Sequence, residues 1–312
     1  MSKPSFDPGL TQQVSGTLRR AINRDGSFNV RRRESGWRHF HPYLYLVNMP
    51  WPAFFLVIFL AYFVVNLVFA AAYLMLGPTA LQGPPAVTTL EHFLTAFFFS
   101  AHTLTTVGYG SLSPVGAAAN LLAAFEALVG LLGFAVATGL LFGRISRPSA
   151  RIGFSAQILI APYQGRPSLQ FRIVNLRPNI LMELEASLML MTVDGPPGSA
   201  SRRYDRLTLE RATVYFLPVT WTIVHPIDDK SPLYGKTAAD LETLAAEFLI
   251  LIKGYDDTFS QTVHRRFSYR YDEVVWGAKF TSAFSIDPSG DIVLDVDMLS
   301  AYTPVDPAAL QN

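Results

Sequence analysis

Two long apolar stretches constrain this chain more than any other feature of its sequence. Residues 51–76 contain no charged side chain, and residues 115–143 contain only Glu126. At about 1.5 Å per residue, a helix over either stretch is long enough to cross a hydrocarbon core of about 30 Å with some tilt. We therefore predict two membrane-spanning helices. The first begins near residue 50, too late for a cleaved signal peptide, so we expect it to be retained.

Composition agrees with a membrane protein and excludes several kinds of site. Half of the 312 residues are apolar and only 16% are charged, which is unusual for a soluble protein, and the length allows two domains. There is no cysteine, which excludes a disulfide framework, a thiolate metal site and a cysteine nucleophile. We find no Ser/His/Asp set and no metal-ligand spacing. We therefore expect neither an enzyme nor a bound cofactor, and no nucleic-acid partner.

The segment between the spans contains Thr106, Val107, Gly108, Tyr109 and Gly110. A potassium ion that crosses a membrane must exchange its water shell for closely spaced carbonyl oxygens, and this type of segment supplies them when several copies surround one axis. The two glycines permit the backbone angles that turn successive carbonyls inward. One loop cannot encircle an ion, so we expect a cyclic homo-oligomer, and four copies fit this filter chemistry. The alternative is a simple turn between helices.

Residues 90–103, just before this segment, are apolar and aromatic but too short to span a bilayer. They are typical of a re-entrant helix that is buried in protein. The C-terminal end of such a helix carries partial negative charge, which favours a cation. We therefore predict a pore helix and filter over residues 90–110.

The distribution of arginine predicts the orientation in the membrane. No lysine or arginine occurs in residues 77–115, whereas arginines precede the first span and follow the second. They are Arg19, Arg20, Arg24, Arg31, Arg32, Arg33 and Arg38 before the first span, and Arg144, Arg147 and Arg151 after the second. The positive-inside rule then places both termini in the cytoplasm and the filter on the outer side of a plasma (inner) membrane.

The N-terminal part is polar and rich in Ser, Asn, Gly and Arg, and we predict that residues 1–36 are mobile in the cytoplasm. Residues 37–49 mix aromatic side chains with Arg38, His39 and His41, as in a helix that lies in the headgroup plane. A plain linker is the alternative for this stretch. The membrane domain then covers residues 50–148.

From about residue 150 the sequence changes to short runs of alternating apolar and polar residues. The predicted strands include residues 168–175, 183–193, 213–224, 247–253 and 273–280. Residues 287–290 are predicted to join two hairpin strands, and residues 237–246 form a predicted helix with Thr237 as N-cap. This pattern favours a β-sandwich over residues 149–301, followed by a tail over residues 302–312.

Five motifs in both halves of the chain carry a resemblance to a known family. They are F-F-F-S-A-H-T-L-T-T-V-G-Y-G (97–110), R-I-S-R-P (144–148), F-R-I-V-N-L-R (171–177), H-P-I-D-D-K-S-P-L-Y-G (225–235) and E-V-V-W-G (273–277). The chain resembles the inward-rectifier potassium channels, most closely the prokaryotic (KirBac-type) branch, from about residue 37 to residue 299. The resemblance implies four subunits around one pore, each with an interfacial slide helix, two spans, a pore helix and an immunoglobulin-like cytoplasmic domain.

Phe134, Thr138 and Phe142 lie at i, i+4 and i+8 and share one face of the second span. By resemblance this face lines the cavity below the filter, and a ring of Phe142 side chains forms a gate that closes by dewetting. Ordinary helix packing is the alternative. The resemblance favours Gly139 as the bend of this helix, although small residues also let spans pack closely.

Two residues are expected to support the filter. Glu126 is the acid within a span, and we expect it to make a structural hydrogen bond behind the filter rather than an ion site. His102 occupies a position where most relatives carry Glu or Gln. Imidazole changes its charge between pH 5 and 8, so we expect acidification to alter the filter.

Six arginines form a predicted basic collar at the inner leaflet. They are Arg32, Arg33, Arg38, Arg144, Arg147 and Arg151. Positive-inside topology explains most of this pattern, and the resemblance favours an anionic phospholipid that modulates gating.

The chain departs from strongly rectifying relatives at two positions. Phe134 and Lys253 stand where such channels place acids, so we expect weak binding of polyamines and Mg²⁺. Asp256 and Asp257 could attract cations at the cytoplasmic pore mouth, although a solvated turn is the simpler interpretation. We interpret His225 and His264 as ordinary surface or turn residues.

The sequence therefore predicts a passive, homotetrameric potassium channel without a resident metal, apart from permeating K⁺. Two alternatives stay open at this point. One is a membrane-anchored protein whose β domain binds a partner, and the other is a weakly selective cation channel.

Overall fold

The computed structural model describes residues 8–10, 13–14, 20–30, 41–146, 150–195 and 200–305. These residues form two units. A helical unit contains residues 41–146, and a β unit contains residues 150–305 together with the described N-terminal residues. Arg32, Arg33, Arg38 and Arg147 of the predicted basic collar lie outside the described residues.

The described residues contain five α-helices and seventeen strands, with two short 3-10 helices at Tyr271–Glu273 and Val296–Ser300. In chain order they are β1 (Gln13–Val14), α1 (Pro42–Asn48), α2 (Trp51–Met75), β2 (Leu81–Gln82), α3 (Thr89–Leu104), β3 (Ser113–Pro114), α4 (Gly116–Ile145), β4 (Ile152–Phe154), β5 (Ile158–Tyr163), β6 (Arg166–Asn175), β7 (Leu181–Asp194), β8 (Ala200–Leu207), β9 (Thr213–Phe216), β10 (Thr220–Pro226), α5 (Ala238–Thr243), β11 (Glu247–Asp256), β12 (Gln261–Arg270), β13 (Val274–Trp276), β14 (Ala278–Phe280), β15 (Phe284–Ile286), β16 (Ile292–Leu294) and β17 (Tyr302–Pro304).

The ends of the helices follow from local sequence. Helix α2 has a proline in its first turn, where the missing N–H is not needed, and it ends before Gly77, which has φ +100°. At the start of α3, the Thr88 hydroxyl accepts from the N–H of Glu91, and the Glu91 carboxylate accepts from the N–H of Thr88 at 3.0 Å. This reciprocal capping fixes where α3 begins.

Helices α2 and α4 are each long and apolar enough to cross a membrane. Helix α4 continues two residues beyond the predicted end at residue 143, which puts Arg144 in its last turn. Helix α3 packs against α2 through a cluster of Phe69, Ala70, Tyr73, Ala96 and Phe99.

The β unit is a sandwich of two sheets, as predicted. In the first sheet the strand order is β1-β8-β7-β11-β12, with β9 also beside β7. In the second the order is β10-β6-β5-β13, with β4 also beside β6, and β13 runs parallel to β5. Alternate residues of β6 and β7, such as Phe171 and Leu188, are buried in the core between the sheets. Thr237 caps α5, as predicted.

Two predicted strands are each divided between different sheets. Residues 213–224 form β9 and β10, which Pro218 separates because its ring fixes φ and removes an N–H donor. Residues 274–280 form β13 and β14, separated by Gly277 at φ +68°. Residues 284–294 form the predicted hairpin around the turn at residues 287–290.

The prediction that the N-terminal segment is mobile is wrong for residues 20–30, which pack on the β unit. The side chain of Ile22 is 5% exposed and contacts Met191, Tyr204 and Leu249. The backbone N–H groups of Ala21 and Ile22 donate to the buried carboxylate of Glu247. A buried carboxylate needs such donors, and a polar sequence gives no sign of this long-range contact.

Candidate functional site

The filter segment, residues 106–110, follows the C-terminal end of α3. Thr106, Gly108 and Gly110 have φ of +58°, +54° and +80°, whereas Val107 and Tyr109 between them are outside this left-handed region. Because every second residue has a left-handed backbone conformation, successive peptide planes can present their carbonyls on the same side of the segment. The two glycines adopt this conformation without a Cβ clash.

The amide groups of the filter segment point back to the pore helix. The N–H groups of Val107 and Gly108 both donate to the carbonyl of His102, at 2.9 and 3.3 Å. Within the described ranges, no hydrogen bond is made to a carbonyl of residues 106–110. The side chain of Tyr109 is 74% exposed in the single subunit. The segment thus carries a row of backbone carbonyl oxygens that accept no hydrogen bond from the described residues.

A buried polar network lies behind the filter and joins three helices. The Glu126 carboxylate of α4 accepts from the Tyr73 hydroxyl of α2 at 2.8 Å and contacts the Ser100 hydroxyl of α3. The Ser100 hydroxyl also lies 3.0 Å from the side-chain oxygen of Asn66 on α2. Glu126, Ser100 and Asn66 are fully buried. A buried carboxylate with two hydroxyl partners holds the helices in register.

Gly130 on α4 lies directly against the end of the pore helix. A Cβ atom at this position would overlap the carbonyl oxygen and carbon of Leu104, the last residue of α3. Gly130 therefore serves close packing, whereas a Cβ atom would meet no neighbour within 4 Å at Gly133 or Gly139.

His102 and Tyr109 contact each other edge to face, with ring centroids 4.8 Å apart and planes at 89°. The histidine thus touches the filter segment through the tyrosine ring as well as through its own backbone carbonyl.

The predicted cavity face of α4 is exposed in the single subunit. Phe134 and Phe142 are 74% and 70% exposed, and Thr138 between them is exposed too. An open apolar groove of about 900 Å³ between α2 and α4 reaches from Leu46 past Phe134 to Thr106. No other element of the described chain covers this face.

The two described arginines of the predicted collar have different surroundings. The guanidinium of Arg144 donates to the carbonyls of Leu46, Val47 and Met49, so it is engaged within the protein. The extension of α4 to Ile145 brings Arg144 beside α1, and its role as an anionic-lipid candidate stays a prediction. Arg151, in contrast, is exposed.

The predicted cytoplasmic residues also differ from one another. Lys253 is about half exposed and lies 3.9 Å from the carboxylate of Glu185 on the neighbouring strand. Asp257 is exposed, but Asp256 is 1% exposed and accepts from the N–H of Phe259 in the turn after β11. Asp256 therefore stabilises a turn.

His264 is exposed, as predicted, but the interpretation of His225 as a surface or turn residue is wrong. His225 is 3% exposed. Its Nδ1 lies 2.6 Å from the carbonyl of Thr208, and its Nε2 lies 2.8 Å from the hydroxyl of Ser231. Because a carbonyl can only accept, Nδ1 carries the proton and Nε2 accepts from Ser231 in the neutral ring.

Sequence reasoning missed Tyr73 and Ser100 as partners of Glu126, and it missed Asn66 as a partner of Ser100. The available signal was the presence of polar side chains in otherwise apolar helices, which usually face protein. Among the described residues, no group of three or more His, Asp or Glu side chains could hold a metal ion.

Comparison with known proteins connects both units to one family. Residues 152–311 match the inward rectifier potassium channel C-terminal domain, and residues 54–147 match the ion channel family. The chain is 39% identical over 283 residues to inward rectifier potassium channel Kirbac3.1 of Paramagnetospirillum magnetotacticum, which covers 89% of this chain and 93% of that protein.

More distant relatives are animal proteins. The chain is 29% identical over 341 residues to ATP-sensitive inward rectifier potassium channel 10 of Mus musculus, covering 100% of this chain and 86% of that protein. The resemblance inferred from the motifs is confirmed, and so is the predicted combination of two apolar helices with a β-sandwich. The chain belongs to the inward rectifier potassium channel family.

Proposed function

We propose that this chain forms a homotetrameric, potassium-selective channel that conducts ions passively across a plasma (inner) membrane, with both termini in the cytoplasm. The family is one of ion channels rather than enzymes. The observation that carries the proposal is the filter segment. Its alternating left-handed residues and its amides bonded to His102 leave a row of carbonyls free to replace the hydration shell of K⁺.

Assembly into a ring is supported by what a single subunit leaves uncovered. The filter carbonyls have no partner among the described residues, and the face with Phe134 and Phe142 is exposed. Several copies around one axis would complete both features. The mass of the detergent-solubilised complex should equal four chains, and a monomer or dimer would contradict the proposal.

Ion selectivity is the direct test. Purified protein in liposomes should take up Rb⁺ in preference to Na⁺, and barium should block the uptake. Gly108→Ala places a Cβ on a residue at φ +54°, which is disfavoured by about 1 kcal/mol or more, and should reduce selectivity. Equal uptake of Rb⁺ and Na⁺ by the unsubstituted chain would favour a weakly selective channel. Absence of barium-sensitive uptake would favour a membrane-anchored binding protein.

We propose the gate at Phe142, where α4 approaches its inner end, with Gly139 as the bend. A ring of phenyl side chains would close an aqueous path by dewetting. Phe142→Ala should raise basal Rb⁺ flux, whereas Ile145→Ala, at an exposed apolar residue one turn further, should not. An unchanged flux in Phe142→Ala would exclude Phe142 as the gate.

Strong rectification is not expected, because Phe134 places an apolar ring where a blocking polyamine would need an acid. Lys253 is the second position where strongly rectifying relatives place an acid, and its positive side chain, paired with Glu185, adds no negative charge there. Phe134→Asp should increase block by spermine and Mg²⁺, and the uncharged Phe134→Asn should not. A strong block of the unsubstituted channel would contradict this proposal.

Modulation by anionic lipid is proposed from the arginine pattern and from the exposure of Arg151. Flux in liposomes with and without anionic phospholipid tests it, and Arg151→Gln should weaken the response. Identical flux at every lipid composition would remove this part of the proposal.

A further inference from the structure

The side chain of Arg144 leaves the last turn of α4 and reaches the end of the short helix α1. Its Nη1 donates to the carbonyls of Leu46 at 2.5 Å and Val47 at 3.1 Å, and its Nη2 donates to the carbonyl of Met49 at 2.7 Å. The last carbonyls of a helix have no partner within the helix. No basic side chain occurs in the last turn of α1 itself, so α4 supplies the missing donors.

The same guanidinium is held between two aromatic rings at the start of α2. Its central carbon lies 4.5 Å from the ring centroid of Trp51 and 4.4 Å from that of Phe54. Phe54 is fully buried. Cation–π contacts of this kind strengthen when water is excluded, and a planar guanidinium uses them better than an ammonium group. One side chain therefore joins the inner ends of three helices.

A second contact between α1 and α4 is independent of Arg144. A Cβ atom at Gly143 would lie 3.0 Å from the hydroxyl oxygen of Tyr43. Glycine at this position lets Tyr43 approach the backbone of α4 one residue after Phe142. Helix α1 thus contacts α4 at two consecutive residues, Gly143 and Arg144.

We propose that Arg144 is a positioning residue that ties α1 to the gate end of α4, and that it is not a ligand for anionic lipid. The proposal rests on the proposed gate at Phe142, two residues earlier in the same helix. A shift of α1 in the headgroup plane would move the attached carbonyls, and Arg144 would transmit that shift to the inner end of α4. The planar guanidinium holds its N–H donors in fixed directions, so this connection depends on hydrogen-bond geometry as well as on charge.

Distance measurement tests the connection without ion flux. The chain has no cysteine, so Leu44→Cys and Ile145→Cys, both at exposed positions of α1 and α4, can be spin-labelled without background. Dilution with unlabelled chains restricts the measurement to one subunit. The unsubstituted Arg144 background should give a narrow distance distribution. Arg144→Gln and Arg144→Lys should both broaden the distribution, because neither side chain can make the same set of hydrogen bonds while it packs against Trp51 and Phe54.

Phe54→Leu provides a second variant that keeps an apolar side chain. It should widen the distribution as well, and adding Arg144→Gln to it should cause little further change, since contacting residues in one network are not additive. Arg151→Gln removes an equal charge seven residues away and should leave the distribution narrow. An unchanged distribution in Arg144→Gln would overturn the proposal.

Flux measurements separate positioning from lipid binding. If Arg144 acts by geometry, Arg144→Lys and Arg144→Gln alter gating alike, while the lipid concentration that gives half of the response stays the same. If the response to anionic lipid is lost in Arg144→Gln and kept in Arg144→Lys, Arg144 is a lipid ligand and the proposal is wrong. Complete absence of flux in the unsubstituted chain would refute the proposed channel, but the spin-label distances would still report on the connection.

Discussion

Gly130 of α4 packs directly on the carbonyl of Leu104, the last residue of the pore helix, and leaves no room for a Cβ atom between them. The backbone of the filter segment begins two residues after Leu104. A glycine in α4 therefore lies against the backbone just before the filter segment.

Gly130→Ala should change the conformation of the filter segment, and its effect on ion selectivity should exceed its effect on protein stability. The added methyl group meets backbone, which cannot rotate away, and overpacking of this kind costs about 1–3 kcal/mol. We expect reduced Rb⁺ over Na⁺ selectivity in the liposome assay. Gly133→Ala, in the same helix with open space around the new Cβ, is the matched control and should behave like the unsubstituted chain. Equal selectivity in all three proteins would contradict this view.

His102 should help to hold Tyr109 in place through the edge-to-face contact of their rings, whose centroids lie 4.8 Å apart. His102→Ala removes this contact and should reduce Rb⁺ over Na⁺ selectivity in the liposome assay. His92→Ala, near the start of the same helix, is the control and should behave like the unsubstituted chain. Unchanged selectivity in His102→Ala would refute the prediction.

The stability of the β unit should fall in mild acid because of His225. Burial lowers the pKa of His225, and the hydrogen bond to Thr208 and the charge of Asp228 oppose this effect only in part. Since the folded pKa lies below the unfolded value of about 6.5, the unfolded state binds the proton first. The contribution of His225 to stability is complete above that value and is lost as pH falls through the folded pKa.

Thermal melting in detergent between pH 8 and pH 5 checks this prediction. The melting temperature should drop toward pH 5, and His225→Gln should flatten that part of the curve. The exposed His264 is the control, because His264→Gln should leave the curve unchanged. Parallel curves for His225→Gln and the unsubstituted chain would show that another group is responsible.

Glu273 should control how firmly residues 20–30 are held on the β unit. Its carboxylate lies 3.1 Å from Nη2 of Arg20, contacts Arg24 and accepts from the N–H of Arg270 at 2.8 Å. Glu273→Gln removes the charge that both N-terminal arginines share. Trypsin should then cleave after Arg24 faster in the folded protein. Asp272→Asn, which changes a more exposed pair with Arg270, should not accelerate cleavage.

The backbone conformation of residues 106–110 was predictable from the sequence because it is local. Gly108 and Gly110 mark two of its three left-handed residues, and the apolar lengths on either side fix the spans. The sandwich was predictable from alternating runs, except where Pro218 or Gly277 divides a run between two sheets. These elements need little information from distant parts of the chain.

The contacts that the sequence did not predict join residues that are distant along the chain. The Arg144 guanidinium donates to carbonyls of α1, almost 100 residues earlier. Glu126 has partners on two other helices, and Ile22 packs on strands more than 160 residues away. His225 is buried by the loop that contains Ser231. Each of these contacts follows from how the elements pack, which residue types alone do not specify.

Thr106 is a β-branched residue held at φ +58°, a conformation that costs about 1–2 kcal/mol for a residue with a Cβ. In a tetramer that strain would recur in every subunit around one axis, together with the mutual repulsion of inward carbonyl dipoles. A cation between the oxygens offsets both costs, so the permeating ion would also be a structural ligand. Withdrawal of potassium would then let residues 106–110 relax, so the conducting conformation would itself depend on the presence of the permeating ion.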